Sequence, residues 1–197
     1  EWGYSYLKLD FLYAAAVKGR YFDSTRTRAQ VLRSGMKALR ESAGMDTFLV
    51  GCGAPLGSAL GLVDSMRIGE DVSPDWYPHF QGIGLGIRNE PFMPSVRNAV
   101  HNTLTRSLLH KRWWINDPDC LLVRPDTNLS LAEVQTLTSA IAFSGGSLLV
   151  SDNLTELPED RRRIIEVLLP LIGERPRVID LFDQASPGRL RLDLSGP

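Results

Sequence analysis

The sequence predicts an α/β fold with parallel strands, and three observations point to it. Short apolar runs of strand length alternate with longer stretches of helical period along the chain. Polar and charged residues collect at the carboxyl end of each apolar run. Short repeats and low-complexity tracts, the marks of a solenoid or of disorder, are absent. Strand–helix alternation of this kind places helices over a parallel sheet. Five strands are expected before the tail. A complete eightfold barrel takes roughly 250 residues, so the chain makes a little over half of one. An independent open sheet of five strands is the alternative.

The first strand is read at residues 4–10 and is followed by a polar loop. A helix is expected from about residue 27 to 43, with Val31, Met36 and Leu39 on its apolar face and Gly44 as the stop. "DTFLVG" (46–51) and "GLVDSMRIG" (61–69) read as the second and third strands, joined by "CGAPLGSAL". An irregular stretch, about 70–92, is rich in Pro and Gly, and loops of that length in compact domains are seldom idle. A helix near 94–110 precedes "RWWINDPDCLLVR", a strand with its turns. "SLAEVQTLTSAIAFSG" is a helix opened by a capping box from Ser130 to Glu133. "GSLLVSD" (146–152) is the fifth strand, "PEDRRRIIEVLLPLIG" a helix started by Pro158, and "RPRVIDLF" a final extended piece.

Composition narrows the function. Apolar content is ordinary at 43%, and 22 basic residues face 23 acidic ones for a net charge of −1. That balance gives no reason to expect nucleic acid or an anionic membrane as partner. The longest apolar runs fall far below the ~20 residues of a membrane span. Cys52 and Cys120 are too few and too far apart for a disulfide framework or a zinc knuckle. His79, His101 and His110 lack metal-ligand spacing and read as structural or surface residues, and no metal or organic cofactor is expected. Asn128-Leu-Ser130 and Asn153-Leu-Thr155 match the glycan acceptor pattern, which matters only in a eukaryotic secreted protein. The chain opens on Glu1 with no signal peptide before the first strand, so it reads as an excerpt of a longer protein. A cytoplasmic location is the expectation, with a signal upstream left open.

Lys8 and Asp10 lie two apart on the first strand and therefore face one side. They are either a salt bridge at the strand's wet end or a working pair at a reactive site. Asp10 ends the first strand, Gly51 and Cys52 the second, and Arg67 to Asp71 the third. Asn116, Asp117 and Asp119 cluster beside the fourth, and Ser151-Asp152 ends the fifth. In parallel α/β folds the carboxyl ends of the strands open on the face that carries the chemistry. A mouth lined with carboxylates and two cations suits a hydroxyl-rich ligand. Strand ends are also polar simply because loops are polar, and the residues alone leave both readings open.

A nucleotide site is the rival from another class. Gly51-x-Gly53-x-x-x-Gly57 follows a strand, and Asp71 comes about 20 residues later, as in a dinucleotide-binding oxidoreductase using NAD. A crossover needs a dozen or more residues, and the next strand begins too soon for one. Pro55 also removes a backbone donor from a loop that should offer N–H groups to phosphate.

"YLKLDFLYAAAV", "FLVGCGAPLGSALGLVDSMRIGEDVSPDW" and "RWWINDPDCLLVR", in this order, resemble the α-galactosidases of glycoside hydrolase family 36, in the melibiase clan. The resemblance runs from the first residues to about residue 180. It implies a (β/α)8 TIM barrel of which this chain holds about strands 4 to 8. It places Asp10 on the catalytic nucleophile and Asp71 on the general acid/base. It places Lys8, Cys52 and Arg67 on positions that contact galactose, and it makes Asp117 and Asp119 of "NDPD" mainly structural residues at the rim.

The chemistry of the residues agrees with those roles. A retaining glycosidase needs one ionised carboxylate to attack the anomeric carbon and a second carboxyl to protonate the leaving group. Lys8 would keep Asp10 ionised. Arg67 is expected to point at sugar hydroxyls, with burial and the charge of Asp10 raising the pKa of Asp71. Asp64 and Glu70 are competitors for the acid role, and only the motif favours Asp71. Trp113 and Trp114 are expected to split between core and rim, whereas Trp76, Tyr77 and Phe80 are candidates for a substrate subsite. Cys52 has no His in motif with it and reads as a contact or packed thiol rather than a nucleophile.

The expected activity is retaining cleavage of terminal α-galactosyl units from oligosaccharides. The alternatives are a transglycosylase of the raffinose- or stachyose-synthase kind, the NAD-dependent oxidoreductase, and a sugar-binding module that has lost catalysis. Residues 1–182 are expected to be barrel and 183–197 an extended tail or the start of a β domain. The rest of the barrel upstream is the expected structural partner, and a homo-oligomer stays open. Alone, the excerpt is expected to be inactive, with open sheet edges.

Overall fold

A computed structural model describes residues 3–79, 87–183 and 185–193. Two compact units are present, one of Glu1–Arg67 with Trp113–Ile115 and one of Ile68–Arg112 with Asn116–Pro197.

The first unit holds β1 (Tyr6–Leu9), a 3-10 turn (Leu12–Ala16), α1 (Arg28–Ala43), β2 (Phe48–Gly51), the single turn α2 (Leu56–Ala59) and β3 (Ser65–Arg67). The three strands run parallel in that order, with Leu9 beside Gly51 and Gly51 beside Met66. Helix α1 begins where expected because Thr27 caps it. The Thr27 hydroxyl accepts from Gln30 N at 3.3 Å, and the Gln30 side chain accepts from Thr27 N at 2.8 Å. Such a cap contributes about 1 kcal/mol. Gly44, at φ 79°, ends the helix.

The buried face of α1 differs from the expected one. Leu32, Met36 and Arg40 are inside, whereas Leu39 is exposed and Val31 only half-buried. Arg40 decides the rotation. Its guanidinium donates to Leu62 O at 3.0 Å, Thr47 O at 2.8 Å and Asp64 Oδ2 at 2.5 Å, tying the helix end to the amino-terminal side of β3. Turning the helix toward Leu39 would leave those acceptors unmet, and a stranded buried polar group costs about 1–3 kcal/mol.

The second unit holds α3 (Val96–Arg106) with a 3-10 turn (Ser107–Leu109), then β5 (Cys120–Leu121), α4 (Leu131–Ser144), β6 (Leu149–Val150), α5 (Glu159–Glu166), β7 (Arg177–Val178) and β8 (Leu190–Arg191). Strand β4 (Ile115–Asp117) contributes its last two residues here and its first to the other unit. β5 pairs parallel with β6, and β7 antiparallel with β8. The core gathers Val96 and Val100 of α3, Leu121 and Val123, Val134, Leu137 and Ile141 of α4, and Ile165 of α5. The capping box from Ser130 to Glu133 is present.

Several expected elements are shorter than predicted, among them the third strand, 65–67 against 61–69, and the fifth, 149–150 against 146–152. "RWWINDPDCLLVR" breaks into β4 and β5 because Pro118 intervenes and Asp119 takes a left-handed backbone, φ 75°. Helix α5 stops at Glu166 rather than near 173, since Pro170 lacks an N–H and disfavours helix at the residue before it. The described part of the long loop is tied down. Pro74 O, Asp75 O and Trp76 O accept from the backbone N–H groups of Asn128, Val96 and Arg97.

Candidate active site

Strand register assembles the first part of the site. Leu9, Gly51 and Met66 stand side by side on β1, β2 and β3, so the next residues, Asp10, Cys52 and Arg67, form a row across the strand ends. Lys8, two residues before Asp10, faces the same side. The Lys8 ammonium lies 3.5 Å from Asp10 Oδ2, with side chains 41% and 43% exposed. An ion pair that open is worth at most about 1 kcal/mol of stability. The pair thus sits at the open end of the strand, and the backbone that follows is tied to the carboxylate. Phe11 N donates to Asp10 Oδ1 at 2.8 Å, with Phe11 itself left-handed at φ 53°. Leu12 N and Tyr13 N then donate to Cys52 O and Gly53 O at 3.3 and 2.7 Å. Gly53 allows this approach, since its φ is +60° and a Cβ would lie 3.3 Å from the Tyr13 ring.

The electrostatics of the row are complementary. The Cys52 thiol donates to the Asp10 carboxylate, and with Phe11 N–H and Lys8 it holds that carboxyl below its usual range, against the opposing effect of burial. Burial first, and then the hydrogen bond to Asp10, push the Cys52 thiol up to about 11, with Arg67 and Lys8 pulling the other way. At neutral pH the row holds an ionised carboxylate beside a protonated thiol. The carboxylate can attack an electrophilic carbon or steady a positive charge, and the thiol is not itself a nucleophile. Arg67, 8% exposed, is buried at the end of β3.

Asp71 stands in the second unit, and it is exposed rather than buried. Its backbone is fixed on both sides of one peptide group. Asp71 O accepts from Ser95 N at 3.2 Å, and Val72 N donates to Asp119 Oδ2 at 2.7 Å. Glu70 is half-buried and lies in the field of Arg106, whose guanidinium pKa is lowered by burial and supported by Glu70. Asp64 is ruled out as the acid by its own contacts, since it accepts from Arg40 and, at 2.7 Å, from Leu49 N, at the amino-terminal side of β3. Asp152 is likewise committed, to Arg124 at 3.0 Å and Val123 N at 2.6 Å.

Lys8, Asp10, Cys52 and Arg67 are thus brought together in the first unit, and Asp71 in the second shares its surroundings with Ser95 and Asp119. Trp114 is buried and Trp113 exposed, edge to face at 5.4 Å, which is the expected split. Trp76 packs against the apolar core. Tyr77 is held under Arg88, 3.8 Å from its ring, and Arg88 lowers the phenol pKa. Phe80 lies outside the described residues. Among the described residues no group of three or more His, Cys, Asp or Glu could hold a metal ion. Sequence reasoning missed the grip of Asp119 on the peptide after Asp71. The Asp-Pro-Asp run, with its forced turn, was the signal that something is held there.

No family model matches the chain. Solved structures do. The α-galactosidase from Thermus thermophilus in complex with stachyose is 35% identical, over 85% of this chain and 34% of that one, with a TM-score of 0.67. The same enzyme in complex with p-nitrophenyl α-D-galactopyranoside gives 33% identity over 89% of this chain and a TM-score of 0.68. The α-galactosidase from Saccharomyces cerevisiae with raffinose is 16% identical over 87% of this chain and 39% of that one, at a TM-score of 0.62, which speaks for the fold alone. The chain spans about a third of the length of the Thermus structures it matches. This likeness bears out the expected α/β fold as a partial barrel.

Proposed function

We propose that this chain carries the catalytic carboxylates of a retaining α-galactosidase of the family 36 type, acting on terminal α-galactosyl units of oligosaccharides. The observation that carries the reading is the 35% identity, over 85% of the chain, to a Thermus enzyme solved in complex with stachyose. The row at the strand ends supports it from the side of chemistry.

Asp10 is the nucleophile in this reading, and Asp71 the acid and then the base. In the first step Asp71 protonates the glycosidic oxygen while an Asp10 oxygen attacks the anomeric carbon. The bond to the leaving group breaks as a β-galactosyl ester forms. In the second step Asp71, now a carboxylate, removes a proton from water, which attacks the same carbon and releases Asp10. Two inversions give net retention. The low pKa of Asp10 keeps it ionised for the first step. Lys8, Cys52 and Arg67 supply donors of the kind that a galactose hydroxyl accepts.

The test uses the full-length protein. Asp10→Gly should lose nearly all turnover, and added azide should restore the first step as β-galactosyl azide. An α-configured azide product, or activity near that of the parent, would remove Asp10 from the role.

A further inference from the structure

We infer that Asp119 is a positioning residue for the general acid/base, holding Asp71 in register through the Asp71–Val72 peptide. The inference rests on the proposed role of Asp71 and goes beyond it.

The geometry is specific. The carbonyl of Asp71 and the N–H of Val72 belong to one planar peptide group. Its carbonyl accepts from Ser95 N at 3.2 Å, at the cap of α3, and its N–H donates to Asp119 Oδ2 at 2.7 Å. Fixing both ends of that plane restricts the rotation about the Asp71 Cα–C bond, which sets where the Asp71 side chain leaves the backbone. Asp119 itself sits in a left-handed turn, φ 75°, a conformation that aspartate visits more readily than most residues. The turn is itself prepared for the task. Asp119 N donates to Asp117 Oδ1 at 2.9 Å, and Asp117 O accepts from Ile68 N at 2.9 Å, at the end of the β3 chain path. Both aspartates are buried, at 3% and 8% exposure, while Asp71 is exposed. A buried carboxylate therefore fixes the peptide that follows an exposed one.

An acid held in this way matters most where the leaving group needs a proton. A displacement of about 1 Å from productive geometry costs on the order of 100-fold, and a general acid contributes about 100-fold or more. In the full-length protein, kcat/KM is measured for raffinose and for a dinitrophenyl α-galactoside, whose leaving group needs no proton. Asp119→Gly suits the turn and removes the acceptor. It should lower the raffinose value by about 100-fold and the dinitrophenyl value by less than about fivefold. Asp119→Asn, which keeps an acceptor, should stay within about threefold on both. The ratio of the two values on one sample is independent of the fraction folded, so instability alone does not move it. Should the glycine variant fail to fold, Asp119→Glu displaces the acceptor by one methylene and should shift the same ratio. A ratio unchanged in Asp119→Gly or in Asp119→Glu overturns the inference, provided Asp71→Ala changes it. If Asp71→Ala leaves the ratio unchanged as well, Asp71 is not the acid, and the parent reading falls with the inference.

Discussion

Cys52 stands between Asp10 and Arg67 in the row at the strand ends, 6% exposed, with its thiol pushed up to about 11 by burial. It keeps its proton at neutral pH, and its hydrogen bond to Asp10 is the largest influence that lowers the carboxyl pKa. Replacing it tests that coupling. Cys52→Ala removes the donor, so the pKa of Asp10 rises and the acid limb of kcat/KM moves to higher pH. The sign follows because a carboxylate with fewer donors is a stronger base. Hydrogen bonds to charged groups are worth roughly 1.5–3 kcal/mol, and the weak S–H donor to a half-exposed carboxylate belongs below that range, so the loss in kcat/KM should be about tenfold at most. Cys52→Ser should keep the acid limb near its original position. An alanine variant whose acid limb stays in place would show that the thiol only packs. Asp10, Cys52 and Arg67 could be singled out in the sequence because each stands at the end of a run of strand length, and Lys8 because it shares a strand face with Asp10, while their roles came from the resemblance alone. Their order in a row could not be read, since register is a property of paired strands and no residue string states it.

At the level of elements, the α4–β6 junction is set by how closely two backbones meet. Asn116, fully buried, donates from its side chain to Arg106 O and Ser107 O, both at 3.3 Å, and from its backbone to His110 Nδ1 at 3.2 Å. Its carbonyl accepts from Ser147 N at 2.9 Å. A Cβ on Gly146 would lie 2.0 Å from that carbonyl oxygen and 3.0 Å from the Asn116 Cβ. Backbone cannot yield as a side-chain tip can. Gly146→Ala should therefore destabilise the full-length protein by about 1–3 kcal/mol, read from the denaturant midpoint at unchanged slope. A midpoint equal to that of the parent would mean the junction is softer than described. The existence and order of the long helices and of the first three strands followed from periodicity, capping residues and glycines, whereas the helical turn α2, the break between β4 and β5 and the β7–β8 pair did not. The face of α1 did not, because Val31, Met36 and Leu39 fit an apolar stripe as well as Leu32 and Met36 do until Arg40 finds Asp64 and the backbone carbonyls. Nor did the end of α5, where "VLLPLI" continues the apolar signal past the point at which Pro170 closes the helix.

On the scale of the whole molecule, the apolar surface left in water is the deciding quantity. In the first unit Tyr4, Tyr6, Phe11, Tyr13 and Phe22 are all more than half exposed, and β1 pairs on one side only among the described residues. In the second unit Val167 and Leu169 are more than half exposed, with Leu171 and Ile172 close behind. Burying one such side chain contributes about 1.5–3 kcal/mol. Leaving several in water forfeits an amount comparable with the ~5–15 kcal/mol net stability of a whole domain. A strand edge flanked by aromatics also offers unpaired N–H and C=O groups to any other chain. Residues 1–197 produced by themselves should therefore bind a hydrophobic dye, self-associate with rising concentration, and release no aryl alcohol from an aryl α-galactoside. The matching control is the full-length protein, in which the same dye should bind far more weakly and the same substrate should turn over. Hydrolysis by residues 1–197 in isolation, lost on Asp10→Gly, would mean that these 197 residues hold a complete site and that the partial-barrel reading is wrong.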